Sequence, residues 1–307
     1  AVATANGSQS ITFASNTGDY NIAIGSYTLD ATTSGSGNVA VGHQALTALT
    51  TGVHNVAIGQ AALDAIDVEN FNVAIGYSAL GAETSGAAGC VAIGGYALQS
   101  QNVASANNTA IGYGSGLNLS GGKESVYVGY LAGGVGVISG SNNTVLGHKA
   151  ALNAVGMSSS VFIGEASGGL GVVAGADNTC VGRSTGYSLT SGASNVLIGR
   201  AAGKFLTDGA NNIAIGHGAF DAANLGENFN TAIGTNALGA ETSGSDGGTA
   251  IGHGALATQN RDASANTAIG YNALTALRAT GGGNYGGINN TAIGYEAGGS
   301  GVFGGGA

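Results

Sequence analysis

Four of the five histidines, His43, His148, His217 and His253, stand directly after a glycine, as do Tyr77, Tyr113, Tyr130, Tyr271 and Tyr295. Histidines recurring at one place can hold a metal, and recurring aromatic rings can stack against sugars. A metal site needs several ligands converging on one point. Neighbouring copies of the motif rarely both carry His, so these do not converge. The set reads as a half-exposed structural stripe, with sugar stacking as the chemistry open to it. The carboxylates are scattered. Asp64, Asp67 and Glu69 form the densest group, and no pair can be placed across a groove as glycoside cleavage requires. Gly169-Leu170-Gly171-Val172-Val173-Ala174 fits a dinucleotide fingerprint by letter, but no helix follows it in a chain with 60 glycines. Asn-Asn-Thr at 107–109, 142–144 and 289–291 forms glycosylation sequons that the repeat generates automatically. No catalytic, metal or cofactor-binding set emerges.

What positions the stripe is a repeat. Its motif is Asn266-Thr267-Ala268-Ile269-Gly270, and the glycine anchors sixteen copies: Gly25, Gly42, Gly59, Gly76, Gly94, Gly112, Gly129, Gly147, Gly164, Gly182, Gly199, Gly216, Gly234, Gly252, Gly270 and Gly294. Every interval is 17 or 18 residues except the last, which is 24. A fixed short period denotes a solenoid. The invariant glycine implies a positive φ or a close backbone approach. The residue before it is always Ile, Val or Leu. The repeat-core isoleucines are Ile24, Ile58, Ile75, Ile93, Ile111, Ile163, Ile198, Ile215, Ile233, Ile251, Ile269 and Ile293. Three before the anchor stands Val, Ile or Thr, which makes a short strand. Four before it stands Asn in twelve of sixteen copies, a ladder of side chains up one corner. A second short apolar piece follows the anchor, so each coil is expected to hold two strands and two turns. The lack of proline fits stacked strands.

Position by position, volumes trade. Ala40 goes with Leu46, Ala74 with Leu80 and Ala214 with Phe220. In the middle of the chain Tyr127 goes with Gly133, Phe162 with Gly168, Cys180 with Gly186 and Leu197 with Gly203. The residues two before and four after the anchor therefore share the roll interior. Two pairs are small on both sides, Ala292 with Gly298 and Ala110 with Gly116; Leu117 is expected to fill the second gap. Strand alternation then turns the residues one and three before the anchor toward neighbouring chains; the reverse assignment, with the Ala two before the anchor facing a trimer axis, is the alternative. A thin roll covers one face of its strand itself, and a symmetry mate is the simplest cover for the other.

Only 7% of residues are charged and the balance is −9, which argues against gripping nucleic acid. No apolar run is long enough for membrane insertion. Cys90 and Cys180 lie five copies apart, about 24 Å at about 4.8 Å per layer, too far for a bridge. Blocks around Glu69-Asn70-Phe71-Asn72 recur 158 residues later as Glu227-Asn228-Phe229-Asn230, which is growth by copying coils.

The Asn-x-Ala-Ile-Gly repeats over roughly residues 21–297 resemble those of trimeric autotransporter adhesin heads and of bacteriophage tail fibres. The resemblance implies a left-handed parallel β-roll assembled as a homotrimer outside the cell. The adhesin period is shorter than 17–18 residues. No heptad-rich stalk or membrane anchor accompanies the repeats, which favours a tail-fibre segment over a whole adhesin.

The expectation is an all-β, parallel β-roll or β-solenoid of about sixteen coils. Residues 1–20, with Ile11-Thr12-Phe13, form an N-terminal strand or cap. Residues 21–297 form the roll, and 298–307 a Gly-rich tail. The expected function is structural and adhesive: first a tail-fibre segment on the virion, second a bacterial surface adhesin. A polysaccharide-cleaving solenoid is the enzymatic alternative. Expected partners are two further copies, a host cell-surface glycan or protein receptor, and other fibre proteins at the ends. The long last interval presents Asn284 and Tyr285 in a glycine loop as the candidate receptor contact.

Overall fold

The computed structural model describes residues 17–82, 86, 88–102, 106–169, 171–222, 226–240, 246–259, 264–280, 288–299 and 302–304. Ile11, Thr12, Phe13, Asn284 and Tyr285 lie outside them. Contacts divide the chain into two compact units, Ala1–Lys149 and Ala150–Ala307.

In the first unit, eight three-residue strands follow one another in space as in sequence: β1 (Ile22–Ile24), β2 (Val39–Val41), β3 (Val56–Ile58), β4 (Val73–Ile75), β5 (Val91–Ile93), β6 (Thr109–Ile111), β7 (Val126–Val128) and β8 (Thr144–Leu146). All pairs are parallel and in identical register, so Ala40 faces Ala57 and Ala57 faces Ala74. The second unit repeats this with β9 (Val161–Ile163), β10 (Thr179–Val181), β11 (Val196–Ile198), β12 (Ile213–Ile215), β13 (Thr231–Ile233), β14 (Thr249–Ile251), β16 (Thr267–Ile269) and β18 (Thr291–Ile293). A small second sheet joins β15 (Thr258–Gln259), β17 (Ala276–Thr280) and β19 (Val302–Gly304), again in parallel. Each unit is an all-β parallel solenoid, with no helix among the described residues.

The two strands expected per coil form only near the C-terminal end, where β15, β17 and β19 supply the second; among the described residues the other coils have one strand each. The piece after the anchor is a run of turns because its backbone changes hand at alternate residues. The second residue after every anchor has φ between 48° and 64°, and the fourth between 46° and 74°. No extended strand accommodates that. The residue five before the anchor is left-handed in all sixteen copies as well, whether it is Gly37, Asn107, His54 or Phe71. Such conformations are unfavourable for a leucine or phenylalanine. They persist because they aim the amides at the neighbouring coils. Gln44 N–H donates back to Ser26 O at 2.9 Å, and Leu46 N–H donates forward to Ala62 O at 3.1 Å.

The anchor glycine meets both expected demands. Its φ lies between 122° and 142° throughout. A Cβ on Gly112 would sit 2.5 Å from the carbonyl oxygen of Gly129, and the same clash recurs from coil to coil.

The interior is the shared space expected from the traded volumes. The middle residue of every strand from β2 to β14, and of β16, is fully buried, as are Leu46, Leu63, Leu80 and Leu98. A Cβ on Gly133 would meet Tyr127 Cδ1 at 2.6 Å, one on Gly168 would meet Phe162 Cε1 at 2.7 Å, and one on Gly203 would meet Leu197 Cδ1 at 2.8 Å. The space beside Gly116 is filled by Leu98 and Tyr127 from adjacent coils, at 2.8 and 3.2 Å from such a Cβ. Leu117, expected there, is only half-buried. Beside Gly298 the filler is Leu274.

The flanking strand residues point outward. Ile24 is 49% exposed, Ile58 39% and Ile111 40%. Ile75, Ile93, Ile163, Ile251 and Ile269 are intermediate on the same face; Ile198, Ile215, Ile233 and Ile293 are exposed there. The repeat isoleucines thus form the outer surface of the roll, and its own interior belongs to the residue between each pair.

The corner asparagines, buried except for Asn21 and Asn290 at the two ends, form the expected ladder. Asn55 Nδ2 donates to Asn38 Oδ1 at 3.2 Å and to Glu69 O at 2.8 Å, while Asn55 Oδ1 accepts from Asn72 N–H at 3.0 Å. Asn178, Asn195, Asn212 and Asn230 repeat this in the second unit. Where Cys90 interrupts the column, the fully buried Gln101 reaches in. Its Nε2 lies 3.3 Å from Cys90 Sγ, and its Oε1 accepts from Asn108 Nδ2 at 2.9 Å.

Candidate functional site

The turn after the anchor leaves one side chain per coil outside the roll, and identical register sets these side chains in columns. In the first unit the column is aromatic. Tyr77, Tyr96, Tyr113, Tyr130 and His148 occupy five successive coils, with ring centroids 5.1, 5.5, 5.7 and 5.5 Å apart. Tyr77–Tyr96 and Tyr96–Tyr113 meet edge to face, at interplanar angles of 77° and 84°. Tyr113–Tyr130 and Tyr130–His148 are stacked, at 14° and 16°. Tyr77, Tyr113 and Tyr130 are about half exposed. His43, in the second coil, makes an edge contact with Tyr27 of the first at 5.8 Å, and Gln60 separates it from the run that starts at Tyr77.

Tyr96 is the member the motif conceals. It stands two after its anchor, behind Gly95, and its left-handed backbone, φ 60°, carries the ring into the column. The signal was a glycine where every neighbouring copy has a side chain. Desolvation raises the Tyr96 pKa, and the flanking Tyr77 and Tyr113 add to the rise.

The column of the second unit changes character along its length. Glu165, Arg183, Arg200 and His217 occupy four exposed positions, and Arg200 Nη1 lies 3.4 Å from His217 Nε2. Further on, His253, Tyr271 and Tyr295 stack at 5.0 and 5.3 Å, with planes within 10° of parallel. A separate stack, five residues before the anchor, joins His54 to Phe71 at 5.5 Å.

The carboxylate group is committed to its own backbone. Glu69 is buried, and its Oε2 accepts from the N–H groups of Asp67 and Val68 at 2.6 and 2.8 Å. Asp67 accepts from the Thr50 hydroxyl. Asp64 is set apart: its Oδ1 is buried without a partner, and desolvation raises its pKa. Among the described residues no three His, Cys, Asp or Glu side chains gather as a metal site. Cys90 and Cys180 are buried thiols outside any disulfide, and burial pushes that of Cys180 up. No helix among the described residues is long and apolar enough to cross a membrane.

The arrangement can therefore present edges, hydroxyls and terminal faces of stacked rings to a binding partner. Ring faces inside the stacks are taken up by their neighbours. The chain matches no protein-family profile, no curated protein and no solved structure.

Proposed function

We propose that the chain is a structural and adhesive fibre segment, a homotrimeric parallel β-roll of a bacteriophage tail fibre that docks on a host-surface glycan or protein. The observation that carries this reading is the outer strand face. In the first unit, fourteen of its sixteen outward strand residues are Val, Ile or Leu and two are Thr. A contiguous apolar surface of that kind marks an interface. Every coil repeats the same surface, so a second and third copy can meet it along its length, as closed symmetry requires. The aromatic column stands after the anchor, away from the strand, and supplies the receptor-facing ridge. No catalysis is assigned to it.

Mass measurement of the folded protein in solution tests the assembly: three chains per particle is the expected result, and a stable folded monomer rejects it. A glycan and surface-receptor binding screen with product detection tests the adhesive role. Binding without cleavage is expected; released saccharide products would favour a polysaccharide-cleaving solenoid.

A further inference from the structure

Two tyrosine pairs are held face to face between successive coils. Tyr113 and Tyr130 lie at 5.7 Å with planes 14° apart, and Tyr271 and Tyr295 at 5.3 Å with planes 7° apart. All four rings are open to solvent, at 51, 47, 46 and 73% exposure. We propose that these pairs are sites of oxidative coupling, each forming a dityrosine rung that ties one coil covalently to the next. The inference rests on ring geometry alone and stands apart from the fibre reading.

The chemistry follows from the stacking. A one-electron oxidant, such as a haem peroxidase charged by hydrogen peroxide, takes one electron from each phenol, and each hydroxyl releases its proton. Two electrons and two protons convert one peroxide to two waters. The unpaired spin of a phenoxyl radical is large on the ring carbons ortho to oxygen. Its orbital there points along the ring normal. In a face-to-face pair that normal is aimed at the partner ring, so the ortho carbons can join. Each ring then moves its ortho proton to its own oxygen and regains aromaticity. The net change is loss of two hydrogens per rung. Tyr77–Tyr96 and Tyr96–Tyr113 are equally near, but at 77° and 84° their normals do not face each other. They are the internal control, as are Tyr27, whose ring meets His43 edge to face, and Tyr187, which has no ring partner among the described residues.

The test treats the dilute full-length folded protein with peroxidase and hydrogen peroxide, then maps cross-linked peptides by mass spectrometry and by the blue fluorescence of dityrosine. Expected are intrachain Tyr113–Tyr130 and Tyr271–Tyr295 links whose yield does not change with protein concentration. Tyr113→Phe should remove the first link and leave the second, and Tyr96→Phe should leave both. Denaturation before treatment should abolish the selectivity. Links formed chiefly by edge-on pairs or by Tyr20, Tyr27 or Tyr187, links only between molecules, or an unchanged pattern after denaturation would each overturn the proposal.

Discussion

The buried hydroxyl of Tyr127 is the clearest imperfection at the residue scale. The ring fills the space left by Gly133 and Gly116, but its oxygen is buried without a well-formed hydrogen bond. Burial pushes the phenol pKa up to about 12, with Ser125 and Asn143 tempering the rise. Tyr127→Phe keeps the volume and removes the unpaired group, so thermal unfolding should show stability unchanged or raised by about 1 kcal/mol. Asp64 gives a pH signature. Its folded pKa is raised by desolvation above the ordinary 3.8, so the folded state prefers the protonated form. Its favourable contribution is complete below about pH 3.8 and is lost as pH rises through the folded value. Asp64→Asn should therefore raise the melting temperature at pH 7 and make little difference near pH 3; an equal gain at both would exclude the titration. The traded volumes predict a rescue. Ala40→Phe alone overfills a closed interior, a cost of about 1–3 kcal/mol or more. Ala40→Phe with Leu46→Gly copies Phe162 with Gly168, and melting curves should show most of the loss recovered.

At the scale of the coil, the anchor glycine separates two effects that usually travel together. Gly294 has a φ of 131°, within the range of the others, but among the described residues a Cβ there would meet only Ala297 Cβ, at 3.8 Å. Gly294→Ala thus carries backbone strain alone, about 1–3 kcal/mol. Gly112→Ala adds a clash with the Gly129 carbonyl and should be the more damaging by denaturation; equal losses would mean that the close approach costs nothing. How much of the coil could be read beforehand follows from the same physics. The strand, its register, the ladder and the shared interior were legible because each imposes a side-chain type: β-branched outside, Asn at the corner, one large residue per space. The turns after the anchor were not. Leu46 and Phe220 look like strand residues, and nothing in their chemistry announces a left-handed backbone that only coil-to-coil hydrogen bonds sustain. His54 and Phe71, five before their anchors, conceal the same conformation. Gln101 was hidden too, since its role exists only because Cys90 vacated the ladder. The stripe of rings was legible as a stripe, but the pairing angles that separate Tyr113–Tyr130 from Tyr77–Tyr96 depend on rotamers that composition does not encode.

At the scale of the whole molecule, one comparison reports whether the outer face is covered. Asn108 is buried; its Nδ2 donates to Gln101 and to Gly122 O at 2.8 Å, and its Oδ1 accepts from Ser125 N–H at 2.9 Å. Asn108→Ala leaves buried groups unpaired, each on the order of 1–3 kcal/mol. Ile111 is 40% exposed in a single chain, where Ile111→Asp would be mild. Inside a trimer it would bury an unpaired charge and become the costlier of the two. Unfolding of both variants, with mass measured alongside, should place Ile111→Asp below Asn108→Ala in stability and disperse the assembly; the opposite order would mean that the strand face stays open. The aromatic column also has an optical consequence. The chain contains no tryptophan, so tyrosine dominates its near-ultraviolet absorption. Phenols fixed face to face, one coil apart, act as coupled oscillators whose transitions split and acquire opposite rotational strengths. The spacing of the coils is thereby written into the near-ultraviolet circular dichroism as an exciton couplet, an intrinsic and label-free gauge of whether neighbouring coils are still in step.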